Sequence, residues 1–559
     1  VNLMAEHKDS KSLVSGLLSC DARKILAEAC EKMPELKQQV ARRVTETSDP
    51  AVKAAKANLK KAFSSGVTRS LEWRRQQLRA MMAMLREGKD ALLQGLKKDL
   101  NRSEEEGYFL ETNIIEHAAQ NALDNLDNWT SETRVSTNLI NLPGASSLKS
   151  DPLGCVLILG CWNYPVQLAL VPLVGAIAAG NAVVLKLPTD MVPHSSNAMK
   201  RLCDQYLDRK YIMVMEGGVK TNQALLKERW DKVFYTGSDV VGRIVYEAAA
   251  NHLTPVCLEM GGKCPTIIGK TSNLEVATKR IAWGKWMNAG QTCVAPDHIF
   301  VHKDISKQFR EKLVKNVKDF YGSDAKASKF FCRMVNGRHT QRVSSMLEGQ
   351  KDKIITGGNF DVKSRYIDPT VLFFGDDWKS FESSKAMSQE IFGPVLPVVE
   401  YTDAERVVEF INKGEKPLSL YVFSNDTREK EIFLKNTSSG AYLVNEIATH
   451  LTNEELPFGG VGHSGIASYH GKFSFDCFSH QKAVLRRPDT TVLDIFARYP
   501  PYSSLKVAIL GFAQTVRPAW KFRVLKYAFF LVVTMVIVQN KSRIAPMLHW
   551  LIDLIFGSM

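Results

Sequence analysis

The sequence predicts an α/β protein of more than one domain, built on largely parallel sheets, and three observations carry this. At 559 residues the chain is long enough to bury more than one apolar core. Val156-Leu157-Ile158-Leu159 is a short unbroken apolar run, the pattern of a strand buried on both faces. A helix-like stretch over 168–179, a Gly180-Asn181 stop and a second strand, Ala182-Val183-Val184-Leu185-Lys186, follow it. That strand–helix–strand rhythm implies a right-handed crossover and suits a nucleotide-binding sheet.

In chain order, residues 1–47 show helical periodicity (Leu13, Leu17, Leu18, then Ile25 and Leu26) with no assignable role. Their free use of Asp and Glu speaks against a transit peptide, and they hold no secretory apolar core. The first residue is Val, which leaves both a fragment and a start at Met4 open. From 51 to 100, Phe63, Leu71, Leu78, Met81, Met82 and Leu85 fall mostly at helical spacings, as packing helices require. Residues 105–129 continue helical, and 133–148 are polar and strand-prone. Val233-Phe234-Tyr235 reads as a third strand, and Thr236-Gly237-Ser238 opens a helix over 240–250. A small-residue turn there can take a phosphate, although an ordinary helix cap looks the same. No G-x-G-x-x-G run opens the helix after the first strand. Residues 259–457 alternate strand and helix again.

The ten cysteines are scattered without paired spacing, which indicates reduced thiols and no zinc site. The net charge of +14 could suggest nucleic acid, but its distribution argues otherwise. Between 485 and 543, ten Lys/Arg stand against two Asp and embrace an apolar run. That is a membrane-surface pattern, unaccompanied by any basic-aromatic RNA motif.

Three polar stretches carry chemistry. Cys293 sits in Asn288-Ala289-Gly290-Gln291-Thr292-Cys293, a glycine-containing loop whose N–H groups suit a thiolate nucleophile. Glu259 precedes Gly261-Gly262 and is a candidate base. Asn163, in Gly160-Cys161-Trp162-Asn163-Tyr164-Pro165, follows the first strand and is a candidate oxyanion donor.

These stretches, in this order, resemble the aldehyde dehydrogenase superfamily. Trp162-Asn163-Tyr164-Pro165, Tyr235-Thr236-Gly237-Ser238, Leu456-Pro457-Phe458-Gly459-Gly460-Val461-Gly462 and Ser468-Tyr469-His470-Gly471-Lys472 point to its class 3 branch. The basic, apolar tail is similar to that of the branch's membrane-bound fatty aldehyde dehydrogenases. The likeness runs from about Asp49 to Pro488 and resumes at Arg498-Tyr499-Pro500-Pro501.

The resemblance implies a Rossmann-type cofactor domain, an α/β catalytic domain, a small β oligomerisation arm and a membrane tail. The expected divisions are an N-terminal extension (1–48), cofactor domain (49–258, arm strand near 133–148), catalytic domain (259–457), closing segment and arm (458–488) and membrane tail (489–559). It implies that Cys293 attacks the aldehyde, Asn163 and the Cys293 N–H hold the oxyanion, and Glu259 activates water against a thioester. Lys186, Asp190, Gly237, Ser238, Gly242, Glu390 and Phe392 are its cofactor candidates, and no metal is implied.

The branch's usual Lys-Pro-Ser-Glu reads Lys186-Leu187-Pro188-Thr189-Asp190 here. With Leu187 as an insertion, Asp190 replaces the glutamate on the ribose 2′-hydroxyl. NAD is then favoured, with NADP tolerated better than where the full run stands. The branch often has Gly where Ala467 stands, and Ala467 is expected not to need a positive φ.

In the tail, the apolar run 524–538 gives about 22 Å of helix against a hydrocarbon core of about 30 Å. Spanning and interfacial attachment both stay open, and 503–516 and 544–556 are further amphipathic or apolar segments. The resemblance implies a homodimer, and with the tail it implies an intracellular membrane, first the endoplasmic reticulum, with the catalytic domain facing the cytosol. The expected reaction is oxidation of medium- to long-chain aliphatic aldehydes. A tethered dehydrogenase of aromatic or short aldehydes and a retired scaffold are the alternatives.

Overall fold

The computed structural model describes residues 46–490 and 494–515. The apolar runs 524–538 and 544–556, and residues 1–45 of the N-terminal extension, lie outside these. The described chain divides into two compact units, residues 46–129 with 151–480, and residues 130–150 with those from 481 onward.

Helices α1 (Asp49–Ser64), α2 (Leu71–Glu87) and α3 (Lys89–Leu100) open the larger unit. Leu59, Leu78, Met81, Leu85, Leu92 and Leu96 form their buried faces, as the helical spacing predicts. A short turn, Glu104–Gly107, and a wider one, Tyr108–Thr112, lead into α4 (Asn113–Thr130). The strand-prone stretch that follows makes two antiparallel strands, β1 (Thr133–Val135) and β2 (Ala145–Pro152), with Thr133 opposite Leu148.

Next comes the repeating unit that the sequence predicts: β3 (Cys155–Leu159), α5 (Gln167–Ala179), β4 (Ala182–Lys186), α6 (Pro193–Tyr206), β5 (Ile212–Met215), α7 (Val219–Lys227), β6 (Lys232–Thr236), α8 (Asp239–Ala250) and β7 (Val256–Glu259). These five strands are parallel in the order β5-β4-β3-β6-β7. The third strand is therefore Ile212–Met215, and Val233-Phe234-Tyr235 lies in the fourth. Four apolar residues behind a charged Asp208-Arg209-Lys210 are too few to show a period. Because the order reverses between β3 and β6, the crevice at their carboxyl ends is where such sheets bind ligands.

The second sheet is built from β8 (Pro265–Ile268), the helix α9 (Leu274–Trp286), and β9 (His298–His302), β10 (Ile354–Thr356), β13 (Thr370–Phe373), β14 (Val395–Tyr401), β15 (Ser419–Phe423) and β16 (Ala441–Val444). Its order is β10-β13-β14-β9-β8-β15-β16, parallel except for β10 against β13. A two-stranded ribbon of β11 (Phe360–Asp361) and β12 (Tyr366–Ile367) stands apart from it.

Late in the chain, β17 (Gly465–Ile466) returns to the first sheet and pairs antiparallel with β7, Gly465 opposite Glu259. Just beyond it, Ala467 takes φ 69°, so the expectation that this backbone needs no positive φ is wrong. Gly459 packs directly against the Ala467 carbonyl and Ser468, and this close approach holds the turn in place.

In the smaller unit, β18 (Ser479–Arg486) joins β1 and β2 in a three-stranded sheet. Arg486 grips Glu132 through both guanidinium ends, at 2.6 and 2.7 Å. A helix over Ser504–Thr515 exposes Leu505, Val507 and Phe512. Among the described residues no helix is long and apolar enough to cross a membrane, so the expected membrane tail is not shown.

Candidate active site

The loops that carry Asn163 and Cys293 are bonded to each other. Asn163 follows β3 at the order reversal, and its Nδ2 donates to Gln291 O at 3.1 Å, two residues before Cys293. Asn288 Nδ2 bridges the two loops, donating to Asn163 O at 2.9 Å and to Gln291 O at 3.0 Å. Tyr164 and Thr292 share a hydroxyl hydrogen bond of 2.7 Å. Ahead of the cysteine, Asn288, Ala289 and Gly290 all have positive φ (50°, 52° and 73°). Three left-handed residues in a row are costly for all but glycine and persist only where surroundings impose them. Here Glu106 Oε1 accepts from Asn288 N at 2.7 Å, and a side chain at Gly290 would collide with Gly393 O.

The frame has a charged core that sequence reasoning missed. Arg102 and Glu111, both fully buried, pair with each other. Arg102 also donates to Asn163 O at 2.7 Å, and Glu111 Oε2 accepts from Val166 N (2.8 Å) and Gln167 N (2.9 Å). The pair thus fixes Asn163 from below and caps the start of α5. No motif in the sequence announces either residue.

Glu259 ends β7, 3% exposed, with Cys257 Sγ 3.8 Å from its Oε1 and no partner for Oε2. Burial first, and the neighbouring Cys477 second, push its carboxyl well above the usual range. The Cys293 thiol is also pushed well up, by burial and then by Glu390, Cys264, Glu259 and Cys161. A loop-stabilised resting thiolate is therefore not what this geometry gives. Asn163 Oδ1 is buried without a partner as well.

Glu390 lies against the Gly261-Gly262 backbone, where burial pushes its carboxyl up to about 8. Lys263 pairs with Asp297, whose Oδ2 accepts from Ile391 N at 2.9 Å and so anchors the Glu390 loop. Phe392 meets Trp162 edge to face at 5.4 Å, which brings it beside the Asn163 loop.

Lys186 ends β4, and Asp190 lies 4.0 Å from its ammonium. The Leu187 N–H pairs with Met215 O at 2.9 Å, adding a rung beyond β4. Ser238 Oγ caps α8 through Val241 N at 3.4 Å, and Gly242 is buried against Met260. Gly237 and Ser238 thus stand at a helix N-terminus, with Gly242 in the first turn of that helix. Among the described residues no group of three His, Cys, Asp or Glu is placed to hold a metal ion.

A parallel sheet with its crevice at the reversal, with the Asn163 and Cys293 loops bonded together beside it, is the layout of a nucleotide-dependent enzyme. The aldehyde dehydrogenase family model matches residues 26–484, and the chain belongs to that family. It is 45% identical over 442 residues to the rat "Aldehyde dehydrogenase, dimeric NADP-preferring", covering 79% of this chain and 96% of the relative. It is 44% identical over 450 residues to the rat "Aldehyde dehydrogenase family 3 member A2", covering 80% and 91%. A substrate-bound Staphylococcus aureus AldH superposes with TM-score 0.79 at 39% identity, covering 82% of this chain and 99% of that one. The protein is an NAD- or NADP-dependent oxidoreductase that acts on the aldehyde group. The residues present fit such a cofactor: a buried lysine, Lys186, ends β4, a small-residue turn opens α8, and Asn163 and Glu259 keep buried atoms without partners.

Proposed function

We propose that the protein oxidises medium- to long-chain aliphatic aldehydes to carboxylic acids through a covalent Cys293 intermediate. The observation that carries the chemistry is the convergence of Cys293 with buried, partly unpartnered Asn163 and Glu259. Cys293 passes its thiol proton to solvent as its sulfur bonds the aldehyde carbon and the C=O π bond breaks, leaving a thiohemiacetal whose oxygen carries the negative charge. The Asn163 side-chain amide gives one proton to Gln291 O, Arg102 holds the main-chain carbonyl of the same residue, and the second amide proton goes with the Cys293 N–H to the oxyanion. Losing one such donor costs roughly 10²–10³ in rate. The bound nicotinamide supplies the hydride acceptor that leaves a thioester. Lys186 and Asp190 hold the adenosine ribose, Gly237 and Ser238 the pyrophosphate, and Glu390 with Phe392 the nicotinamide side. Glu259 then takes a proton from water attacking the thioester, and Cys293 departs with the acid released.

Chain length rests on the resemblance to fatty aldehyde dehydrogenases and on the basic, apolar tail, from which a lipid-like substrate would be collected. The tail attaches the enzyme to an intracellular membrane, the endoplasmic reticulum first, with the catalytic unit on the cytosolic side. The sheet of β1, β2 and β18, with most of β18 exposed, is the arm of a homodimer. Kinetics with a series of aldehydes from short to long, and an aromatic one, test the substrate class. A kcat/KM that does not rise with chain length would reject it, and an aromatic optimum would favour the other enzymic reading. Cys293→Ala should abolish acid formation while leaving cofactor binding intact.

A further inference from the structure

Glu46 and Thr47 end the stretch to which the sequence assigns no role, yet both are tied to the carboxyl edge of the first sheet. Glu46 Oε2 accepts hydrogen bonds from Gly218 N (3.0 Å), Thr221 N (2.9 Å) and Thr221 Oγ1 (2.6 Å). Thr47 donates from its N–H to Thr221 Oγ1 at 2.8 Å and from its hydroxyl to Glu216 O at 3.1 Å. The Glu46 carboxylate therefore sits on the N-terminus of the nine-residue α7, an anion held where the backbone offers N–H groups.

This seat adjoins Lys186. A Cβ built on Gly218 would lie 2.9 Å from Glu46 Oε1 and 3.4 Å from Asp190 Cβ, so both acidic side chains close on one glycine. Lys186 is only 3% exposed, and Asp190 and Glu46 are the first two charges that act favourably on its ammonium. One buried cation thus faces two carboxylates, and the Gly218 and Thr221 N–H donors of the corner are spent on one of them.

A cofactor ribose entering here meets different conditions according to its 2′-substituent. A 2′-hydroxyl can donate to a carboxylate, whereas a 2′-phosphate brings nearly two further negative charges and needs donors of its own. We propose that Glu46 is a specificity residue: by occupying the anion seat at the α7 N-terminus beside Lys186, it disfavours the 2′-phosphate of NADP relative to NAD. The inference rests on the reading that Lys186 and Asp190 mark the adenosine end.

The test uses the full chain and its Glu46→Gln variant, with dissociation constants for NAD and NADP measured by calorimetry without substrate, alongside the kcat/KM ratio. The substitution keeps the shape of the side chain and removes its charge. NADP affinity should rise about tenfold in the variant, and NAD affinity should change less than about threefold. Raising the salt concentration should narrow the discrimination of the unaltered chain and leave that of the variant almost unmoved, since Glu46 is exposed to ions. Lys186→Ala separates the two layers. If it weakens both cofactors while Glu46→Gln leaves their ratio unchanged, Glu46 is no specificity residue and the adenosine-end reading stands. If Lys186→Ala changes neither affinity, that reading falls and takes the inference with it.

Discussion

Burial works against the ionised form of both Cys293 and Glu259. Each folded-state pKa is raised, so each charged form is gained only as pH climbs. Both the attack on the aldehyde and the hydrolysis of the thioester should therefore quicken with pH, and the acid limb of the rate profile should lie well above the ordinary carboxyl value of 4.5. Glu259→Gln should keep one rapid turnover of hydride transfer and then stall. Stopped-flow absorbance should show a burst of reduced cofactor and a slow steady state, and loss of the burst would refute the division of labour between the two residues. Arg102→Met should strand Glu111 as a buried, unpaired charge at a cost of about 3–5 kcal/mol, read from urea midpoints. Its activity should fall too, because Asn163 O loses its 2.7 Å donor. Cys293, Glu259 and Asn163 were legible because each stands in a compact run of unusual composition. Arg102 and Glu111 were not: they are nine positions apart, Arg102 in the link after α3 and Glu111 in the turn before α4, and only the fold turns them toward each other.

At the scale of elements, continuous apolar runs were the legible ones. β3 and β4 emerge within a residue of their sequence bounds, and Gly180, at φ 89°, ends α5 where expected. β5 escaped notice through its brevity, and Ala467 because a positive φ at an alanine leaves no trace in composition. That turn makes its own prediction. A left-handed alanine costs about 1–2 kcal/mol, of which glycine's greater unfolded freedom takes back about 0.5–1. Ala467→Gly should thus stabilise the protein modestly, by about 0.5–1 kcal/mol in the denaturation midpoint, and a destabilised variant would mean that the methyl packs usefully.

For the whole molecule, the resemblance foretold an α/β fold with a Rossmann-type sheet, but no periodicity could supply the strand orders. The partners of β14 are β13 and β9, the latter nearly a hundred residues upstream, and such pairings leave no local mark. The tail is a matter of composition, and its proposed role is open to direct test. Removing residues from about Ser503 onward should move the protein to the soluble fraction and spare the oxidation of short aldehydes, with long ones affected more. Fractionation with kinetics on both substrates checks this, and a truncated chain that still sediments with membranes after a salt wash would put the anchor elsewhere.

The pairing of β17 with β7 also has a bearing on synthesis. A ribosome finishes β7 some 200 residues before it releases Gly465, which is on the order of 10–40 s at ordinary translation speeds. Throughout that interval the nascent chain carries an open strand edge ending at Glu259, a template for pairing with a neighbouring chain on the same message. Slow codons in that interval would prolong the hazard, and fragments that stop short of β17 would leave the Glu259 edge unsealed.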